Sequence, residues 1–302
     1  MDILTLILLL ALGYLSKHLG YLNGESAKHF LRYVFYIGFP ALTFYSILNL
    51  NFTLTTLYLV IANILLTILL THIAIIIGQL LKLPPKELGT FIAISVIMNY
   101  SVIYVFGYKL FGELGLSYMA FFTFGHTLSA LTYTYMVIKR YNPDTVYDSW
   151  FKMVWDILTV PLVLSVILGV TANLLELSLP AIVLEVIQML GNSSIPVVLV
   201  ALGLLIEFKE VDKWALAGSL LRVVGGGLLG ALIAYILPID DPIQKWTIII
   251  GGMAPVGFMS AVYSEIENLR PKMAANAISI SLVLSIALLS LLSIIGEMMG
   301  WW

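Results

Sequence analysis

The chain has no cysteine, and only 11% of its 302 residues are charged. Without cysteine there are no disulfides and no thiolate metal sites, and the sequence carries no report of a redox compartment. A soluble domain has about 25% charged and roughly 45–50% apolar residues. Here 61% are hydrophobic and mean hydropathy is +1.03, more apolar surface than a water-soluble core can use. The helices must face lipid as well as one another. The net charge of −2 and the lack of any basic run give no reason to expect nucleic acid as a partner. There is no Asp-rich metal–diphosphate motif, no histidine cluster with ligand spacing and no pair of intramembrane aspartates, and no serine is marked as a nucleophile by a nearby base. An intramembrane enzyme is therefore not expected, and neither a cofactor nor a metal is implied. Met1-Asp2-Ile3 lacks a basic n-region and a small-residue cleavage site, so the first apolar stretch reads as a span.

What is present is long hydrophobic runs. A transmembrane helix needs about 20 apolar residues, and that ruler gives ten spans at roughly 3–22, 27–49, 54–81, 87–107, 114–139, 153–175, 180–206, 214–237, 243–264 and 272–296. Short separators with turn chemistry divide them, such as Asn23-Gly24, Leu83-Pro84-Pro85, Asn142-Pro143-Asp144 and Pro238-Ile239-Asp240-Asp241-Pro242. Lysine and arginine crowd the ends of the odd-numbered spans: Lys17, Lys28 and Arg32; Lys82 and Lys86; Lys139, Arg140 and Lys152; Lys209 and Lys213; Arg270 and Lys272. Only Lys109 and Lys245 follow even-numbered spans. Positive charge marks cytoplasmic loops. The expectation is an integral plasma-membrane protein with both termini extracytoplasmic and Trp301 and Trp302 in the outer aromatic belt.

Two prolines, Pro40 and Pro196, lie 156 residues apart, and Gly13 and Gly169 share that spacing. Proline inside a helix frees a backbone carbonyl and costs about 3 kcal/mol. Matching interruptions in two halves point to a secondary transporter built as a repeat. Further on, Met98-Asn99-Tyr100 matches Met253-Ala254-Pro255 at an offset of 155. Five spans per half means that the second half enters from the opposite side, an inverted repeat of residues 1–145 and 146–302.

Spans four and nine collect polar, glycine and proline residues at mid-span depth. Unwound backbone there is tolerated only against protein or a wet cavity. Two half-helix N-termini would offer N–H groups and partial positive charge to an anion. The candidate substrate site is Asn99, Tyr100, Ser101, Tyr104, Pro255, Gly257, Met259 and Ser260, and the bland alternative is that the polar side chains pack helices together. Pro40, Asn192, Ser194 and Pro196 read as matched breaks in spans two and seven, lining one wall. His72, His126, Arg222 and Glu265 are candidates for ion or proton coupling. Arg222 either meets a carboxylate, from substrate or from Glu265, or snorkels to the surface. Both histidines either relay protons or bond neighbouring helices. Asp156 reads as a helix N-terminal charge. The glycines Gly225, Gly226, Gly227 and Gly230 read as a close-packing surface, with no Gly-Lys-Ser/Thr to make a phosphate loop.

Taken in order, Ala11-Leu12-Gly13-Tyr14-Leu15, Pro40-Ala41-Leu42, Asn99, Phe111-Gly112-Glu113-Leu114-Gly115-Leu116, Ser193-Ser194-Ile195-Pro196 with Ala201-Leu202-Gly203, Met253-Ala254-Pro255 and Ala261-Val262-Tyr263-Ser264-Glu265 resemble the auxin efflux carrier family over nearly the whole chain. That family includes plant PIN-type carriers and prokaryotic organic-anion carriers. The resemblance implies a scaffold from spans 1, 2, 6 and 7, a transport domain from spans 3–5 and 8–10, a substrate site where spans four and nine cross, and a homodimer. The family shows Asn-Thr-Gly and then Gly-x-Pro in span four. Here Tyr100-Ser101 follow Asn99, and Tyr104 and Phe106 stand where the later Gly and Pro would fall, which implies a differently shaped pocket.

The function expected is therefore a secondary active or facilitative efflux carrier of a small mono- or dicarboxylate, by alternating access, with proton or sodium coupling open. Two alternatives remain at this stage. One is a ligand sensor on the same fold, disfavoured by the lack of a soluble output domain. The other is a sodium-coupled bile-acid-type symporter, which acidic or Gln residues at the crossing would favour; neither Asn99–Tyr104 nor Met253–Ser260 contains one.

Overall fold

In the computed structural model, residues 3–48, 50, 54–142, 155, 158–205 and 211–301 are described. Asp156, Lys152, Lys209 and Trp302 lie outside them. The described residues are nearly all helical. We number the helices α1 (Ile3–His18), α2 (Gly24–Leu48), α3 (Leu57–Leu80) and α4 (Pro85–Val96). The helix Tyr100–Ser129 is interrupted at Gly112, whose φ of 60° and ψ of −144° suit glycine. It divides into α5 (100–111) and α6, which runs from 113 through a π turn at Ala130–Thr134 to Lys139. Then come α7 (Pro161–Leu174), α8 (Ala181–Leu205), α9 (Lys213–Ile236), α10 (Pro242–Gly252), α11 (Met259–Ile266) and α12 (Pro271–Met299).

Five of these, α2, α3, α8, α9 and α12, are long and apolar enough to cross a membrane. Local chemistry sets their ends. Proline occupies the first turn of α4, α7, α10 and α12, where its missing N–H costs nothing. Asp212 accepts from Trp214 and Ala215 N–H at 2.8 and 2.9 Å to cap α9. Asn173 on α7 donates to the carbonyls of Ile47, Leu48 and Leu50, satisfying the orphan end of α2.

The helices pack in two groups. One is α1, α2, α7 and α8, in which α1 lies on α8, and α2 on α7 and α8. The other holds α3 to α6 and α9 to α12, and α2 and α7 touch it along the Tyr100–Ser129 helix. Small residues make the close approaches. Gly13 sits against Val200 and Gly203 of α8, and Gly169 sits against Phe44 and Ile47 of α2. Gly13 and Gly169, Phe44 and Val200, and Ile47 and Gly203 are each separated by 156 residues. Gly38 and Ser194, also 156 apart, touch each other. In the second group Gly226, Gly227 and Gly230 bring α9 onto Gly252, Met253 and Ile248, the close packing expected of that run.

The helix ends gather in two sets. Tyr118 donates to Asp241 at 2.7 Å, Lys109 pairs with Glu297 at 2.6 Å, and Trp246 stacks on Trp301 at 5.2 Å. These join the α5–α6 and α9–α10 turns to the C-terminus. Tyr135 and Asn142 donate to Glu267 at 2.7 and 2.9 Å, and Arg270 lies 3.6 Å from Glu87. These join the other ends of α4, α6 and α11–α12.

Two expectations need correction. Pro40 and Pro196 do not break their helices. A π turn at Val34–Gly38 shifts the hydrogen-bond register just before Pro40, so α2 absorbs the lost donor. α8 runs straight through Pro196. The first helix also ends sooner than expected, at His18 rather than near residue 22.

Candidate functional site

The breaks are in the spans that hold Asn99 and Pro255. α4 ends at Val96, Ile97 is extended with φ −66° and ψ 121°, and α5 starts after Asn99 at φ −94° and ψ 116°. α10 ends at Gly252 and α11 begins at Met259. The two unwound segments cross antiparallel, with Met98 opposite Val256. Asn99 N–H donates to Pro255 O and Gly257 N–H donates to Ile97 O, both at 2.8 Å. Each segment thus satisfies part of the other's backbone. In this pairing Met98 lies opposite Val256, Asn99 opposite Pro255 and Ile97 opposite Gly257. The break lies between Val96 and Tyr100, before Tyr104 and Phe106, which are inside α5.

Asn99 Oδ1 accepts Ser101 N–H at 2.9 Å and caps α5. Its amide nitrogen has no protein partner among the described residues, although the residue is 3% exposed. Ser101 Oγ, one position past the helix start, is buried and unpartnered, as is Thr43 Oγ1 on α2. Tyr104, one turn beyond Ser101, stacks on Phe39 of α2 at 4.9 Å and hydrogen-bonds Thr123 at 3.2 Å. Tyr100 bonds Thr127 at 2.9 Å and meets the His126 ring edge-on. In the second half, Pro255 and Gly257 are buried in the crossing, Ser260 Oγ donates to Gly257 O at 2.7 Å, and Met259 is 44% exposed. Of the expected wall, Ser194 is buried against Gly38 and Pro40 is half-buried. Asn192 and Pro196 are exposed on the outside of α8.

The ionisable candidates separate sharply. His126, on α6, is 2% exposed, and its Nε2 accepts Met98 N–H at 3.3 Å. The ring proton therefore sits on Nδ1 and goes to Thr67 Oγ1 at 3.1 Å, which donates to Asn63 Oδ1 at 3.0 Å. Asn63 closes the ring by donating to Met98 Sδ at 3.6 Å. A neutral imidazole with both nitrogens in use holds the broken backbone in place. His72 lies on the exposed face of α3, bonded to Ile68 O and Tyr133. Arg222 is 1% exposed, so it does not snorkel, and it does not pair with Glu265, which is exposed. Its Nε donates to Ala254 O at 3.0 Å and its Nη2 to Gly252 O at 2.9 Å. The buried carboxylate in that half is Glu267, 3% exposed, a residue that motif reading passes over because only its partners Tyr135 and Asn142 reveal it.

The first turn of α5 thus carries two polar groups without a protein partner among the described residues, the Asn99 amide nitrogen and the Ser101 hydroxyl. Among the described residues no group of His, Asp or Glu is disposed to hold a metal.

Comparison with known proteins places the chain in a family. A family model described as membrane transport protein matches residues 1–293. An uncharacterized transporter of Methanocaldococcus jannaschii is 23% identical over 303 residues, covering 96% of this chain and 97% of the relative. The chain belongs to the membrane transport protein family of the auxin efflux carriers.

Proposed function

We propose that this multi-pass membrane protein is a secondary carrier for a small organic anion, a mono- or dicarboxylate, bound where α4–α5 crosses α10–α11. The observation that carries this reading is the pair of helix breaks closed on each other by two 2.8 Å backbone bonds, with the Asn99 amide left over beside them. In this reading the helices form ten spans in two inverted halves, α4–α5 and α10–α11 each counting as one broken span. The 156-residue spacing of the Gly13 and Gly169 contacts supports the repeat. The group α1, α2, α7 and α8 is the scaffold and, as the resemblance implies, the dimer surface. The other group moves as the transport domain, exposing the crossing to each side in turn. Direction follows the gradients, and efflux is the family's usual one.

Uptake into proteoliposomes from a panel of labelled mono- and dicarboxylates tests this. Saturable flux of at least one anion is expected, and none across the panel would overturn the reading. The lysine- and arginine-rich ends of the odd-numbered spans, with that of Arg270 beside Glu87 among them, are assigned to the cytoplasm. A C-terminal tag accessible only from the cytoplasmic side would reverse that orientation.

A further inference from the structure

Arg222 carries a charge into the interior with no carboxylate paired to it among the described residues. Its guanidinium lies at the carbonyl end of α10, where the unwound chain fans its oxygens and the helix dipole is negative. In sodium-coupled carriers that position, the C-terminal end of a half-helix with unwound carbonyls, holds the coupling ion. We propose that Arg222 is a built-in substitute for such an ion: it closes the α10–α11 break from within the chain, and transport at the crossing is independent of sodium.

The backbone accounting supports this. The carbonyls of Gly252 and Ala254 receive Arg222, that of Met253 receives Ser285 Oγ at 2.7 Å, and that of Pro255 receives Asn99 N–H at 2.8 Å. Val256 N–H goes to Ser281 at 2.9 Å. Four successive carbonyls at the break thus already have donors, and a fixed positive charge beside them repels a second cation. The fit is built into α9. A β-carbon at Gly226 would meet Gly252 O and stand 3.2 Å from Arg222 Nη2, so only glycine lets α9 approach closely enough to deliver the guanidinium. The opposite break is held differently, by the neutral His126 on Met98. Arg222 is in these terms a positioning residue, acting on substrate through the backbone it holds.

The inference rests on the carrier reading only for its flux arm. The first arm is the melting temperature of the purified full chain in detergent, in sodium chloride against choline chloride. Wild type is expected to melt alike in both. Arg222→Ala is expected to melt lower and to regain stability with added methylguanidinium, which a merely space-filling role would not allow. Saturable stabilisation of wild type by sodium would overturn the proposal, as would an Arg222→Ala variant that melts like wild type. Should the alanine variant not fold, Arg222→Lys, which keeps the charge but not the fork, and the wild-type sodium titration decide the matter. In the second arm, wild-type flux is the same in sodium and choline. Arg222→Ala lowers it at least about tenfold, equivalent to about 1.4 kcal/mol. Sodium-driven uptake would overturn this proposal and leave the carrier reading intact. Absence of flux for every anion, with the melting results as expected, would overturn the carrier reading and leave Arg222 as the stand-in cation.

Discussion

Asn99→Ala is expected to weaken anion binding by roughly 10–100-fold while the protein remains folded. The side chain does two jobs at once. Its oxygen caps α5 through Ser101 N–H at 2.9 Å, and its nitrogen has no protein partner among the described residues. Losing an N-cap costs typically about 1 kcal/mol, which a helix packed on all sides can absorb. Losing a hydrogen bond to a charged ligand costs about 1.5–3 kcal/mol, and each 1.4 kcal/mol is a factor of ten. Asn99→Asp separates the two roles. Aspartate caps as well as asparagine, so melting temperature should hold, whereas a carboxylate facing an anion should abolish binding. Transport affinity measured in proteoliposomes for both variants checks this. Unchanged affinity in Asn99→Ala would place the substrate elsewhere.

Composition, hydropathy and the glycine and proline spacing were enough to read a membrane carrier from the chain, because lipid exposure and close helix packing both act through residue type. Gly226 and Gly230 behave as the composition says, bringing α9 onto α10, whereas Gly225 faces only Leu221 of its own helix. Pro40 and Pro196 were misleading, since a helix can absorb one lost donor, at Pro40 after a π turn and at Pro196 without an interruption. Asn99 was legible as a special residue but not as a cap, because capping depends on where the helix restarts. Arg222, His126 and Glu267 were the least legible. Each finds its partner on another helix, 28 residues away in sequence for His126 and Met98 and 132 for Tyr135 and Glu267. Through-space pairings of that kind leave no periodic mark.

Gly257→Val is expected to be the most disruptive single change at the crossing. The position does not need glycine for its dihedral angles; among the described glycines, positive φ occurs at Gly20, Gly112 and Gly300. What it needs is the missing side chain. A β-carbon here would stand 2.8 Å from the carbonyl carbon of Met98 and 3.1 Å from Ile97 Cγ2. The carbonyl carbon belongs to backbone and cannot swing away, because Gly257 N–H is bonded to Ile97 O and Asn99 N–H to Pro255 O on either side of it. Relief requires the two segments to part, which leaves buried backbone groups unpaired at about 1–3 kcal/mol each. Overpacking itself costs typically about 1–3 kcal/mol. Together these exceed roughly 3 kcal/mol, a large share of a stability of about 5–15 kcal/mol. Gly225→Ala is the control, since its β-carbon would meet only the flexible end of Leu221. Folded yield after gel filtration in detergent should collapse for Gly257→Val and stay near wild type for Gly225→Ala. Equal yields would mean that α4–α5 and α10–α11 do not rely on their backbone contact, and the proposed substrate site would have to be sought away from the crossing.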